Sequence, residues 1–228
     1  PPNWAERPRP IAVNNWEATY FDFDRKKLLD LADEAAGIGA ELFVLDDGWF
    51  GHRNSDGSSL GDWKVNEEKL GGSLKNLGQE MKERGLGFGI WMEPEMVSPD
   101  SDLFRAHPDW IIAAPLEEPQ VARNQYVLDL SRKCVREFVI EAVAEILEGG
   151  VIDYVKWDMN RNITDAFSGE LFPGNQKELM HRYMLGLYGI LEELTERFPE
   201  ILFEGCAGGG GRYDPGMLYY MPQIWVSD

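Results

Sequence analysis

Six short runs of residues, each ending in polar or aromatic side chains, alternate along this chain with segments of helical periodicity. They fall at residues 10–16, 41–49, 87–95, 154–161, 201–206 and 223–228. That alternation constrains the architecture more than any other feature, because repeated strand-then-helix units give parallel strands joined by right-handed crossovers. Polar groups gather at the C-terminal end of every run, which fits a (β/α)₈ barrel better than an open sheet. The sequence therefore predicts an α/β fold, a TIM barrel truncated to about its first six βα units, with residues 1–228 forming one partial domain.

The helices between the runs carry their own punctuation. Asp24 is placed to cap a helix in which Leu28, Leu31, Ala32 and Ala35 keep helical spacing until Gly37 and Gly39. Ser73 caps a second, with Leu74, Leu77 and Met81 inward. Ser131 is expected to cap the clearest of them: Val135, Phe138, Val139, Ala142, Val143, Ile146 and Leu147 form one apolar face, closed by Gly149 and Gly150. Asn175 is expected to cap a long helix through Leu179, Tyr183, Leu187, Leu191 and Leu194, stopped at Pro199. Residues 51–72 read as a long loop, and residues 103–106 as a short helix. Residues 110–112 and 126–128 read as brief extended pieces.

The fourth run carries the sharpest chemistry. Side chains alternate faces along a strand, so Lys156, Asp158 and Asn160 point one way while Val155, Trp157 and Met159 point the other. Asp46, Asp47, Trp91, Glu93, Lys156, Asp158, Cys206, Trp225 and Asp228 all end predicted strands, the rim on which barrel active sites are assembled. Carboxylates from different strands, aromatic faces and few bases make up a kit for cleaving a glycosidic bond. One acid stays ionised to attack, and the other holds a proton for the leaving oxygen. Asp158 is read as the nucleophile, with Lys156 as an opposite charge beside it. Asp228 is its candidate partner, although on the residues alone an exposed terminal acid is the simpler reading.

Composition excludes several classes. Forty acidic against 22 basic residues give a net charge of −18, which argues against a nucleic-acid or anionic-membrane partner. No apolar run approaches a membrane span, and the start has neither a basic n-region nor an apolar h-region. It also lacks an initiator Met, so the N-terminus is read as processed or cut. Cys134 and Cys206 suggest no disulfide framework, and a reducing, cytoplasmic location is favoured. His52, His107 and His181 are scattered, and no cofactor or metal is called for.

The motifs Asn14-Asn15-Trp16, Asp46-Asp47-Gly48-Trp49, Trp91-Met92-Glu93-Pro94-Glu95-Met96, Arg123-Asn124-Gln125, Lys156-Trp157-Asp158-Met159-Asn160-Arg161, Cys206-Ala207-Gly208-Gly209-Gly210 and Trp225-Val226-Ser227-Asp228 follow one another along the chain. In that order they resemble the successive motifs of microbial glycoside hydrolase family 36 α-galactosidases. The resemblance implies a barrel catalytic domain and a retaining mechanism, with Asp158 as nucleophile and Asp228 as acid/base. It implies that Asp46 and Asp47 bind galactose hydroxyls, which carboxylates accept well. Their other reading, a divalent-metal pair, lacks a His or third carboxylate at ligand spacing. Lys156, Asn160 and Arg123 match further sugar contacts. Trp16, Trp91 and Trp225 match aromatic walls, although taken alone each tryptophan reads as readily as core. Cys206 matches a pocket-lining cysteine with no His to activate it.

The implied partner is a galactoside of the raffinose or melibiose kind, and a homo-oligomer of the full-length protein is compatible. Complete members carry a β-sandwich domain before the barrel, two more barrel strands, and a C-terminal β domain. A six-strand arc with open edges predicts little activity for the piece alone. Alternatives are α-N-acetylgalactosaminidase or galactosyl-transfer activity, a non-catalytic sugar-binding fragment, and a metal-dependent barrel enzyme.

Overall fold

The computed structural model describes residue 4 and residues 6–115 and 117–227. Its strands are β1 (Ala12–Asn14), β2 (Leu42–Leu45), β3 (Gly87–Met92), β4 (Met96–Val97), β5 (Tyr126–Val127), β6 (Tyr154–Trp157), β7 (Leu202–Gly205) and β8 (Gln223–Ile224). Its helices are α1 (Trp16–Thr19), α2 (Arg25–Gly37), α3 (Glu67–Leu70), α4 (Leu74–Glu83), α5 (Asp102–Ala106), α6 (Lys133–Leu147), α7 (Leu179–Arg197) and α8 (Pro215–Tyr220). One six-stranded sheet runs β1-β2-β3-β6-β7-β8 with every neighbour parallel, and β4 and β5 form a small antiparallel pair outside it.

The period of two sorts side chains onto the two faces of this sheet. Phe43, Leu45, Phe88, Ile90, Val155, Trp157 and Phe203 pack into the main core with the inner faces of α2, α4, α6 and α7. Leu42, Val44, Tyr154 and Leu202 form a separate small cluster on the opposite face, with Trp4 against it. Strands apolar on both sides need both sides covered, and each large buried aliphatic side chain contributes about 1.5–3 kcal/mol. The sheet curls. Residues at the ends of β1 and β8, its two edges, line one cavity, and Arg9 Nη2 donates to the Pro222 carbonyl at 3.2 Å across the gap.

Caps at Asp24 and Ser73 are made as the sequence predicts, their side chains accepting from Lys27 N–H and Asn76 N–H. Two predicted caps are not. Ser131 gives its hydroxyl to Asp129 at 2.6 Å, and α6 starts from Arg132 with no side-chain cap. Asn175 lies within a 3₁₀ turn, Pro173–Glu178, which Pro173 opens and which leads into α7. The loop at residues 51–72 contains α3, capped by Asn66 and closed by Gly71. Residues 108–110 form a 3₁₀ turn, and Ile111 bridges Leu128.

Helix α7 meets the chain leading into α6 at Gly186, where a β-carbon would stand 2.1 Å from the Leu130 carbonyl oxygen. Alanine would gain roughly 1 kcal/mol of helix propensity there. The clash is with backbone, which cannot rotate away, and overpacking costs about 1–3 kcal/mol or more. Gly186→Ala is therefore expected to lower the melting temperature, and an unchanged or raised melting curve would refute the packing argument.

Candidate active site

The C-terminal ends of the strands open into a cavity of about 590 Å³. Asp46, one residue beyond β2, is buried and accepts three hydrogen bonds: Oδ2 accepts from Lys156 Nζ at 3.0 Å and from Asn14 Nδ2 at 2.5 Å, while Oδ1 accepts from Asp47 N–H at 2.9 Å. Its own N–H donates to Asn15 Oδ1 at 2.7 Å, tying β2 to the end of β1. Gly48 then turns the chain at φ 108°, where a side chain would be strained, and Asp47 is left on the cavity wall. Arg53 grips it in a bidentate fork, Nε to Oδ1 at 2.9 Å and Nη2 to Oδ2 at 2.8 Å. Burial pushes the Asp47 carboxyl up in pKa, and Arg53 recovers only part of that.

Lys156 projects from β6 between these groups, its Nζ 4.5 Å from the centroid of the Trp225 ring. Burial works against its charge, but the carboxylates of Asp46 and Asp158 outweigh it and leave the amine raised above its ordinary range. Asp158 is buried on the same face of the strand. Its Oδ2 accepts from Trp91 Nε1 at 2.9 Å and Asn160 Nδ2 at 2.6 Å, and its Oδ1 from Met159 N–H at 2.8 Å. The opposite face is locked as firmly: Trp157 Nε1 donates to Glu95 Oε1 at 2.9 Å, and Glu95 also accepts from Arg212 and Tyr183. Asp158 thus stands on a strand fastened front and back.

Glu93 and Glu95, two apart across Pro94, serve the two sides. Glu93 is buried on the cavity side and accepts at Oε1 from Gln125 Nε2 at 2.8 Å and Asn160 N–H at 2.5 Å. Arg123 reaches the cavity from a two-residue hairpin turn in which it and Asn124 both hold positive φ, 51° and 57°. Trp16 packs edge-on against Tyr20 and Phe21, with ring centroids 5.2 and 5.1 Å away.

A family model described as Melibiase matches residues 1–228. The chain is a member of the melibiase family. It is 56% identical to α-galactosidase AgaA of Geobacillus stearothermophilus over 98% of its own length and 31% of that protein's. It is 53% identical to α-galactosidase Mel36A of Lactobacillus acidophilus, over 96% of its length and 30% of the relative's. The crystal structure of AgaA, a glycoside hydrolase family 36 enzyme, superposes with a TM-score of 0.96 over 98% of this chain and 31% of that one. The α-galactosidase of Lactobacillus brevis, 49% identical, superposes with a TM-score of 0.97 over 100% of this chain and 31% of that one. This melibiase-family chain thus spans about a third of the length of the curated relatives it matches.

Trp16, Asp46, Asp47, Trp91, Arg123, Lys156, Asn160 and Trp225, drawn from residues more than 200 positions apart, all line the one cavity. Asp158 lies immediately behind Trp91 and Asn160, bonded to both. Cys206 is beside Asp158 but off the cavity wall, and burial, reinforced by that carboxylate, pushes its thiol far up in pKa, which suits a protonated, unreactive sulfur. Asp228 lies outside the described residues, while its neighbour Ser227 lines the cavity. Asn14, Arg53, Glu93 and Gln125 also line it, as do Glu17, Phe21 and Asp56; of these only Glu93 was singled out, as a strand-end acid without an assigned role. Asn14 and Glu93 end strands as Asp46 does, so that same signal pointed to them. Arg53 sits in a loop and offered none, and Gln125 was marked only by its place in the Arg123-Asn124-Gln125 motif. Among the described residues no three His, Cys, Asp or Glu side chains are grouped to hold a metal ion, and no helix is long and apolar enough to cross a membrane.

Proposed function

We propose that the full-length protein carrying this chain is a retaining α-galactosidase acting on terminal α-linked galactose. What carries it is Asp158, fixed by three hydrogen-bond donors immediately behind the Trp91 and Asn160 wall of a tryptophan-lined cavity, in a chain of the melibiase family. The cavity's carboxylates, Lys156 and Arg123 supply acceptors and donors for sugar hydroxyls, and Trp16, Trp91 and Trp225 supply apolar faces for the ring. AgaA has been crystallised as variants in complex with raffinose and stachyose, which supports an α-galactoside as the ligand class here.

In the proposed reaction a carboxylate oxygen of Asp158 attacks the anomeric carbon while the aglycone oxygen departs with the proton of Asp228. Water then attacks the same carbon, passing its proton to Asp228, and Asp158 leaves. Two inversions retain the α configuration, and the mechanism requires the two carboxyl groups about 5–5.5 Å apart. The curled sheet is read as the first six strands of an eight-stranded barrel, since all its strands are parallel and residues at the ends of both edge strands line one cavity. Asp46 and Asp47 are the acceptors for galactose hydroxyls in this scheme, with Asn160 and Trp91 holding the nucleophile.

The test is hydrolysis of 4-nitrophenyl α-galactoside by the full-length protein, with the first-formed sugar followed by proton NMR. Turnover giving α-galactose before mutarotation is expected. β-Galactose as first product would overturn the retaining assignment, and galactose binding by calorimetry without turnover would favour a sugar-binding module.

A further inference from the structure

Glu93 is a buried carboxylate that joins three separate pieces of the site. It follows β3 immediately, two residues after Trp91, whose indole N–H holds Asp158. Its Oε1 accepts the backbone N–H of Asn160, the residue whose side-chain amide holds the same Asp158 oxygen. The same Oε1 accepts Gln125 Nε2, at the base of the hairpin turn that presents Arg123. Arg161 secures that hairpin from the other side, its Nη1 donating to the Gln125 and Gln120 carbonyls at 2.7 and 2.8 Å. A turn with two non-glycine residues at positive φ costs energy to hold and persists where its surroundings fix it.

We propose that Glu93 is a positioning residue for the reaction, one oxygen setting both the amide that aims Asp158 and the hairpin that carries Arg123; this rests on the α-galactosidase reading above. The role is geometric. Both donors converge on a single oxygen, so the carboxyl serves as an acceptor at a fixed point and can be neutral while doing so. Its pKa is pushed up to about 8, by burial first and then by the Asp158 charge, against the pull of the Asn160 and Gln125 donors. A neutral Glu93 adds no second negative charge beside the nucleophile. A glutamine, which keeps a carbonyl oxygen of the same reach, therefore replaces most of what it does.

The two arms separate by kinetics in the full-length enzyme with 4-nitrophenyl α-galactoside, active sites being counted with a fluorinated galactoside that traps the glycosyl-enzyme. Misplacing a reacting group by 1 Å costs on the order of 100-fold, so Glu93→Ala is expected to lower kcat per titrated site by about 10-fold or more and to raise KM. Gln125→Ala, which frees only the hairpin arm, is expected to raise KM while lowering kcat far less than Glu93→Ala does. Glu93→Gln at pH 6 is expected to recover most of the lost kcat.

A merely structural role would reduce the number of titratable sites and leave kcat per site alone, and that result overturns the proposal. So does a Gln125→Ala defect equal to that of Glu93→Ala in both constants. If Glu93→Ala fails to accumulate, Glu93→Met, of similar length but without an acceptor, is judged by the same criteria. An inactive wild-type protein would instead remove the α-galactosidase reading itself, before any variant is compared.

Discussion

Asp158→Ala is expected to remove at least roughly four orders of magnitude from kcat, the scale on which deleting a catalytic nucleophile is felt. The fold around it should survive, because the cavity is built by other residues: Asp46 by Asn14 and Lys156, Asp47 by Arg53, and the strand itself by Trp157 on Glu95. What the substitution leaves is a small space facing three donors, Trp91 Nε1, Asn160 Nδ2 and the Met159 N–H, with the Lys156 charge nearby. That is a place for a small anion. Azide added to the variant should recover part of the rate by attacking the anomeric carbon as nitrophenolate departs, giving β-galactosyl azide with a single inversion. A variant that keeps more than about a hundredth of wild-type kcat, or an azide adduct of α configuration, would take the nucleophile role away from Asp158. In the wild type, a fluorinated galactoside should label the peptide containing Asp158 and no other.

The parts of this molecule that a single strand or helix determines were legible in its sequence. Leu42, Phe43, Val44 and Leu45 follow one another with no polar residue between them, a pattern that suits a strand buried on both faces, and the structure divides them between two clusters. Lys156 and Asp158 were placed on one face by alternation alone, and both point toward the cavity end of the sheet. The caps at Asp24 and Ser73 hold because nothing competes for those side chains. Ser131 failed as a cap because Asp129, two residues back, takes its hydroxyl, a local bond that offers the chain an alternative to helix initiation.

What depended on partners far along the chain was hidden. The resemblance marked Asp47 as one of a pair of sugar-binding acids, but nothing marked its fork to Arg53, a loop residue with no periodicity. In the proposed scheme sugar hydroxyls there would meet a carboxylate already shared with a guanidinium, so the pair, and not the lone acid, would be the recognition unit. Glu93 announced itself only as one more strand-end acid, because its hydrogen bonds to Gln125 and Asn160 span 32 and 67 residues. Asp228, read as the acid/base, lies outside the described residues, so its role stays a proposal carried by its place after Trp225 and Ser227, both on the cavity wall.

Lys156→Met should damage stability and activity through separate causes, and a second substitution should part the two. The ammonium and its Asp46 partner are almost wholly buried, 7% and 4% exposed at the side chain. Removing one member of a buried pair leaves the other charge uncompensated, at a cost of about 3–5 kcal/mol. Because the folded pKa of Lys156 lies above its ordinary value of 10.5, the stabilisation is fully present below that value and fades only as pH rises through the folded pKa. The wild-type advantage in melting temperature should therefore be flat from pH 6 to 9. Adding Asp46→Asn to Lys156→Met removes the stranded charge and should restore much of the stability. It should not restore turnover. The positive charge beside Asp158 and the cation over the Trp225 ring would still be gone, together with the Asp46 carboxylate on the cavity wall, and kcat/KM should remain down by on the order of 100-fold, about 2.7 kcal/mol of transition-state stabilisation. Recovery of kcat/KM together with melting temperature in the double variant would mean that Lys156 serves only to neutralise Asp46.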